Sequence, residues 1–105
     1  MVIIVEKESF MSAIPIQKTL SKEELYTLIQ NYQKNHDQKS KEMIILSNTK
    51  LVLSLMKRFY QKSNHYEDLF QVGIVGLIKA VDHFDTNYQL QFSTYAVPLI
   101  IGEMK

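Results

Sequence analysis

The sequence predicts an all-α fold, a small helical bundle of about four helices with a flexible N-terminal arm. Three observations favour helices. The 105-residue chain contains only three glycines and two prolines, too few for the many turns of a β-sandwich or barrel. Leu, Ile, Lys, Glu and Gln, which suit helices, are abundant. The apolar residues recur at spacings of three and four, the period of an amphipathic helix.

The first predicted helix begins at Ser21 and ends at about Asn35. Ser21 and Glu24 have the spacing of a capping box, in which each side chain accepts a hydrogen bond from the other residue's backbone N–H. One apolar stripe follows, formed by Leu25, Leu28, Ile29 and Tyr32. Residues 1–19 show no sustained period and are expected to form a tail or arm, whereas residues 20–105 form the helical domain.

The helical pattern resumes over residues 39–60, after a polar turn in which Asp37 is a plausible N-cap. The Ser-Asn-Thr segment 47–49 interrupts this pattern, because such side chains compete for backbone hydrogen bonds. Two interpretations stay open. Either the chain bends between two helices, or one continuous helix directs the Asn48 side chain toward another group.

A further helix is predicted over residues 66–84, introduced by a second pair with capping-box spacing, Asn64 and Glu67. Gly73 and Gly76 lie in its interior, where each costs about 1 kcal/mol relative to alanine. Close packing against another helix is the structural explanation for both glycines.

The opposite face of this predicted helix carries an apolar seam with a polar rim. It contains Asp68, Gln71, Val72, Val75, Ile78, Lys79 and Asp82. A fully solvated face would not group three branched apolar residues, whereas an apolar seam rimmed by polar groups is typical of a docking surface for another helix. The alternative is a second core contact with the N-terminal helix.

A polar loop at 85–91 leads to the last predicted helix, which begins at Tyr95 with Ser93 or Thr94 as its N-cap. Pro98 then falls within or just after the first turn, where its missing N–H costs little.

Aromatic residues cluster around this junction of loop and helix. The cluster contains Tyr88, Phe92 and Tyr95, together with Thr94. These rings are either core plugs or stacking platforms for unpaired bases, which need flat faces and not bulk charge. Bulk charge does not favour DNA binding by this part of the chain, because the net charge of the whole chain is only +1, with +4 on residues 1–63 and −3 on residues 64–105.

Composition excludes several classes of function. Without cysteine there is no disulfide scaffold, thiolate zinc site or cysteine nucleophile. The three histidines lack the spacing of a metal site, and no phosphate loop or nucleophile elbow occurs, so neither an enzyme nor a cofactor is expected. No segment is apolar for long enough to cross a membrane and no secretory signal is present, so we expect a cytoplasmic protein with no membrane partner.

Residues 67–85, EDLFQVGIVGLIKAVDHFD, and 92–103, FSTYAVPLIIGE, closely resemble region 2 of bacterial RNA polymerase sigma factors. The ending is similar to the sporulation and general-stress class, nearest sigma-F and sigma-G. Primary sigma factors carry two tryptophans where this chain has Pro98 and Leu99. The resemblance extends without a gap over residues 41–105, and more weakly back to Leu20.

This resemblance implies that the helix over 66–84 docks on the clamp helices of the polymerase β′ subunit. The core-binding positions are Asp68, Leu69, Gln71, Val72, Ile74, Val75 and Ile78. Most of them coincide with the seam identified from helical spacing alone.

The resemblance also implies that the chain melts the −10 promoter element and holds the non-template DNA strand. The DNA-binding positions are Asn48, Leu51, Phe84, Asp85, Tyr88, Phe92, Ser93, Thr94 and Tyr95. A pocket for a flipped adenine would be bordered by Phe84, Asp85 and Tyr95. A second base pocket would be bordered by Asn48, Leu51 and Thr94. Extruding a base costs a few kcal/mol, which stacking and pocket contacts offset.

The sequence departs from the family pattern in two places. The loop at 86–91 has no charge where primary sigma factors carry basic residues, so we expect weak single-strand affinity in isolation. The helices that read duplex promoter DNA in the family would follow Lys105, so the resemblance implies a truncated chain or one that works with a second subunit. The alternatives are an interaction module that binds an anti-sigma factor, and a homodimer formed through the seam.

Overall fold

The fold is that of a computed structural model, which describes residues 20–59, 66–87 and 90–105. The helices are α1 (Lys22–Asn35), α2 (Gln38–Ser47), α3 (Thr49–Met56), α4 (Tyr66–His83) and α5 (Phe92–Met104), with a 3-10 helix at Lys57–Phe59. These ranges contain no strand, which confirms the all-α prediction. Within them, no helix has the length and apolar character needed to cross a membrane. The predictions for residues 1–19, Asn64 and Tyr88 lie outside the described residues.

The first two helices begin where the sequence predicts. The Glu24 N–H donates to Ser21 Oγ at 3.1 Å and the Ser21 N–H donates to Glu24 Oε1 at 3.0 Å, which completes the capping box. Asp37 caps α2, because its carboxylate accepts hydrogen bonds from the Lys39 N–H at 3.3 Å and from Ser40 Oγ at 2.8 Å. The Ser40 hydrogen bond is the main reason that the pKa of Asp37 lies below its ordinary value.

The long helical pattern breaks at Asn48, so the bend between two helices is confirmed and the continuous helix is wrong. Asn48 Nδ2 donates to the Ile44 carbonyl at 2.8 Å and to Ser47 Oγ at 3.2 Å. Thr49 Oγ1 donates to the Ile45 carbonyl at 3.0 Å. These short polar side chains therefore donate hydrogen bonds to backbone carbonyls at the end of α2, as expected of residues that compete for backbone hydrogen bonds.

The core is built around α4. This helix packs most extensively against α5, while α3 contacts both α4 and α5, and α1 and α2 pair with each other and close against α4. The largest fully buried side chains are Ile29, Ile44, Val52, Met56, Leu77 and Ile100. Every one of the five helices contributes to that set, so the described helices share one core.

The two glycines of α4 mark the closest approach between helices. A Cβ at Gly76 would lie 2.7 Å from both the Ile100 Cα and the Leu99 carbonyl oxygen of α5. A Cβ at Gly73 would lie 2.7 Å from Val52 Cγ1 of α3. The close packing predicted for both positions is confirmed.

Gln33 of α1 caps the C-terminal end of α4. Its Nε2 donates to the Val81 carbonyl at 2.8 Å and to the Phe84 carbonyl at 2.7 Å. The last carbonyls of a helix have no partner within the helix, so this amide satisfies groups that would otherwise need water. Through this contact α1 is tied to the C-terminal end of α4.

We expect Gln33→Ala to lower the free energy of unfolding by about 1–2 kcal/mol, because two carbonyls lose a partly buried donor. Urea denaturation followed by circular dichroism measures the change. Asn31→Ala is the matched control, since Asn31 is an exposed amide on the same helix. Equal effects of the two substitutions would contradict the capping role of Gln33.

Candidate functional site

A polar-rimmed apolar stripe runs along the outer side of α4. We call it the α4 face, and its exposed residues are Asp68, Gln71, Val72, Val75, Lys79 and Asp82. Val72 is 36% exposed and Val75 is 44% exposed, which places both among the few exposed large hydrophobic residues of the described chain. The stripe spans about 21 Å at 1.5 Å per residue. The packing of α1 to α5 against one another leaves the two valines uncovered.

Three of the predicted core-binding residues sit deeper than the others. Leu69 is only 7% exposed, so its side chain belongs to the core and supports the α4 face from beneath. Ile74 and Ile78 are half-buried. Ile78 lines a small cavity with Tyr32, Lys41, Ile44, Ile45 and Val81. The alternative of a second core contact therefore applies at Ile78, near the C-terminal end of the stripe, and not at the two exposed valines.

A pocket of about 260 Å³ lies where α4 ends and α5 begins. Its lining residues are His83, Phe84, Asp85, Leu90 and Tyr95. The structure therefore brings together Phe84, Asp85 and Tyr95, the residues that the resemblance places around one pocket. This volume lies just below the range of small-molecule pockets, roughly 300–1,000 Å³, so the pocket suits a group no larger than one aromatic heterocycle. The exposed Asp85 also accepts a hydrogen bond from the Asn87 N–H at 2.9 Å, which orders the first turn of the following loop.

An aromatic cluster surrounds Phe84, which lines this pocket together with Tyr95. The Phe84 ring lies 5.3 Å from Tyr26 and 5.2 Å from Phe92 in edge-to-face geometry, and 5.5 Å from the tilted ring of Tyr95. Phe84 and Phe92 are buried, whereas Tyr95 is half-buried. Phe92 is therefore a core plug that does not line the pocket, and Tyr95 offers the accessible aromatic side chain.

Helix α1 holds both sides of the loop that borders the pocket. The Tyr26 hydroxyl donates to the Leu90 carbonyl at 3.3 Å, and Gln30 Nε2 donates to Thr86 Oγ1 at 2.8 Å. The pocket wall is therefore positioned by residues that lie more than fifty positions earlier in the chain.

The beginning of α5 differs from the sequence prediction. Gln91 occupies the N-cap position with extended backbone angles, φ −68° and ψ 145°, and the helix begins at Phe92. The expected N-caps Ser93 and Thr94 lie instead in the first turn, exposed to solvent. Burial of Phe92 against Phe84 draws the helix start forward, so tertiary packing overrides the local cap preference. In consequence Pro98 lies in the second turn, farther inside the helix than predicted.

The second predicted pocket is less defined. Asn48 and Leu51 are half-buried at the beginning of α3, and Thr94 is exposed on α5. Because α3 packs against α5, the three residues lie on neighbouring elements. The amide nitrogen of Asn48 is already bonded to the Ile44 carbonyl, which leaves its side-chain oxygen as the group that can accept a hydrogen bond. A shared base pocket at these residues stays a prediction.

Two pocket residues, His83 and Leu90, were missed by the sequence reasoning. Leu90 is the single aliphatic residue in the polar loop 85–91, and that isolation was the available signal. His83 gave none, because a histidine at a helix end is usually a capping or surface residue. Within the described ranges, no group of three or more acidic or histidine side chains could hold a metal ion.

Comparison with known proteins identifies the sequence pattern. The sequence model of the family described as Sigma-70 region 2 matches residues 44–105. The chain is 48% identical over 86 residues to the RNA polymerase sigma-F factor of Bacillus licheniformis, covering 82% of this chain and 33% of the relative. It is 42% identical over 94 residues to the RNA polymerase sigma-G factor of Bacillus subtilis strain 168, covering 90% of this chain and 35% of the relative. The chain thus spans about a third of the length of these curated relatives.

Proposed function

The chain belongs to the sigma-70 region 2 family, and we propose that it docks on RNA polymerase and holds melted promoter DNA during transcription initiation. The α4 face would contact the clamp helices of the β′ subunit. The pocket between α4 and α5 would receive a base of the non-template strand from the −10 element. The observation that carries the docking proposal is the exposed valine pair on a helix whose other side is the centre of the core.

The chemistry of the α4 face suits a helical partner. Val72 and Val75 lie three residues apart and can pack into the groove of another helix. Asp68 and Gln71 stand one turn earlier, where they can accept and donate hydrogen bonds at the rim. An apolar centre with polar groups around it is the usual anatomy of a protein interface. Leu69 contributes by holding α4 in place from the core side.

The pocket chemistry suits a single extruded base. Tyr95 supplies an aromatic side chain for stacking, and Leu90 and Phe84 supply apolar walls. The Asp85 carboxylate can accept a hydrogen bond from an exocyclic amino group, which adenine, cytosine and guanine carry and thymine lacks. Stacking and this contact would offset the few kcal/mol that unstacking a base costs.

We expect Tyr95→Ala to weaken binding of single-stranded −10 DNA by about 1–3 kcal/mol, the usual contribution of one stacked base. Fluorescence anisotropy with a labelled oligonucleotide, in the presence of core polymerase, measures the affinity. Ile101→Ala is the control, because Ile101 is a half-buried residue of the same helix that does not line the pocket. Wild-type affinity in Tyr95→Ala would contradict the assignment of the pocket.

The α4 face also suits an anti-sigma factor, because an exposed apolar pair between polar groups fits either partner. In that case the chain would act as an interaction module and would not start transcription. In vitro transcription with the remaining sigma regions supplied as a second polypeptide separates the two functions. A specific transcript that depends on this chain would contradict a pure decoy role.

A further inference from the structure

The outer side of α3 and the 3-10 helix carries three exposed cations. Two of these cations, Lys57 and Arg58, follow Lys50 by seven and eight residues, and the exposed Ser54 lies between them. Seven or eight residues make about two helical turns, so all four residues lie on one side of α3 and the 3-10 helix. We call these four residues the α3 cation stripe. None of the three cations makes an ion pair with the described residues. The ion pair found among those residues joins α4 and α5.

The α3 cation stripe lies in a basic part of the chain, whereas the C-terminal part is acidic. Residues 38–59 carry five basic groups and one acidic group. The described residues from 66 to the end of the chain carry two basic and five acidic groups. The base pocket therefore lies in the acidic part of the chain, with Asp85 at its edge. A DNA strand that inserts a base there needs cations for its phosphates elsewhere.

The stripe lies close to the proposed DNA path. Leu51 precedes Arg58 by seven residues and lies on the same side of the helix, about 10 Å away at 1.5 Å per residue. That distance corresponds to a few successive phosphates of one strand. Because α3 packs against α5, a strand leaving the proposed site near Leu51 and Thr94 can continue along the stripe.

We propose that the α3 cation stripe binds the phosphate backbone of single-stranded DNA whose bases occupy the site between α3, α4 and α5. This inference rests on the proposed function and extends it with a backbone track. The composition of the stripe favours nucleic acid over an acidic protein. Its exposed residues are three cations and a hydroxyl with no apolar anchor, and protein interfaces depend on buried aromatic or aliphatic anchors. Phosphate contacts need only the cations, since the Ser54 hydroxyl already donates its proton to the Leu51 carbonyl at 2.8 Å.

The test is the salt dependence of DNA binding by the whole chain. The triple variant Lys50→Gln, Lys57→Gln and Arg58→Gln removes the stripe's charge. The control variant Lys34→Gln, Lys39→Gln and Lys105→Gln removes the same charge from exposed positions elsewhere. Affinity for a fluorescein-labelled single-stranded oligonucleotide is measured between about 50 and 200 mM salt, the range over which phosphate contacts change binding strongly.

For single strands, the slope of log affinity against log salt changes by about 0.7 per phosphate contact, so the stripe variant should have a slope shallower by about 2. The control variant should keep the wild-type slope. If the stripe variant kept the wild-type slope, or if both variants lost the same affinity, the inference would be overturned while the proposed function would stand. A folded wild-type chain that binds no single strand at the lowest salt, even in the presence of core polymerase, would overturn the DNA-binding part of the proposed function, and the inference with it.

Discussion

Gly76→Ala should destabilise the chain by about 2–3 kcal/mol, even though alanine favours helices by about 1 kcal/mol over glycine. The new Cβ would lie 2.7 Å from the Cα of Ile100 and 2.7 Å from the carbonyl oxygen of Leu99. Both atoms belong to the backbone of α5, so no side-chain rotation relieves the overlap and the two helices must separate. Small domains have a total stability of about 5–15 kcal/mol, so the loss is a large fraction.

Urea denaturation of Gly76→Ala beside Gly102→Ala measures this effect with a matched control. Gly102 also lies inside a helix, but a Cβ there would meet no atom within 4 Å. We therefore expect Gly102→Ala to gain up to about 1 kcal/mol from helix propensity alone. If the two variants were equally stable, the close approach of α4 and α5 at Gly76 would be wrong.

The second large effect is expected at the α4 face. Val75→Asp should weaken binding to a β′ clamp-helix fragment by about 3 kcal/mol, roughly 100-fold, because it removes apolar contact and buries a carboxylate. Asp68→Ala and Gln71→Ala should each cost about 1–2 kcal/mol, since each loses one polar contact at the rim. All three residues are exposed in the free chain, so the fold should survive the substitutions.

Met43→Asp is the matched control for Val75→Asp. Met43 is 41% exposed and Val75 is 44% exposed, but Met43 lies on α2, beside a groove shared with α1. Isothermal titration calorimetry on both variants, with circular dichroism to confirm folding, separates a local contact from a general effect of added charge. Equal weakening in the two variants would argue against docking through the α4 face.

Local signals in the sequence predicted most of the secondary structure. Ser21 with Glu24, and Asp37 with Ser40, cap their helices through hydrogen bonds within four residues, so their consequences are visible in the sequence. The bend at Asn48 follows from the same chemistry, although only the structure decides between a bend and a continuous helix. In each case the interaction that decides the outcome is local.

The beginning of α5 and the depth of several site residues depend on contacts between distant segments. Phe92 begins a helix because Phe84 offers a buried aromatic surface, which overrides the preference for Ser93 or Thr94 as N-cap. The stripe over 66–84 has the helical period, but the spacing alone does not tell which flank other helices cover. Leu69 is not part of the seam found from helical spacing; it entered the core-binding set only through the resemblance to sigma factors, and it lies in the core.

The base pocket also combines residues assigned from the sequence with a residue that only long-range contacts bring in. Phe84, Asp85 and Tyr95 were assigned through the resemblance to sigma factors, and the structure brings them to one pocket. Leu90 joins them because the hydroxyl of Tyr26 in α1 donates to its carbonyl, a contact across sixty-four residues that no local pattern reveals. Long-range tethers of this kind set the shape of the site.

Calorimetric titration of the unmodified 105-residue chain into the β′ clamp-helix fragment decides whether the outer side of α4 is the polymerase contact. We expect one-to-one binding with a dissociation constant of about 1 μM or tighter, which corresponds to about −8 kcal/mol. We also expect Val75→Asp to weaken this binding and Met43→Asp to leave it unchanged. A chain that is folded by circular dichroism yet gives no binding heat and fails to compete with an intact sigma factor for the same fragment would contradict this contact.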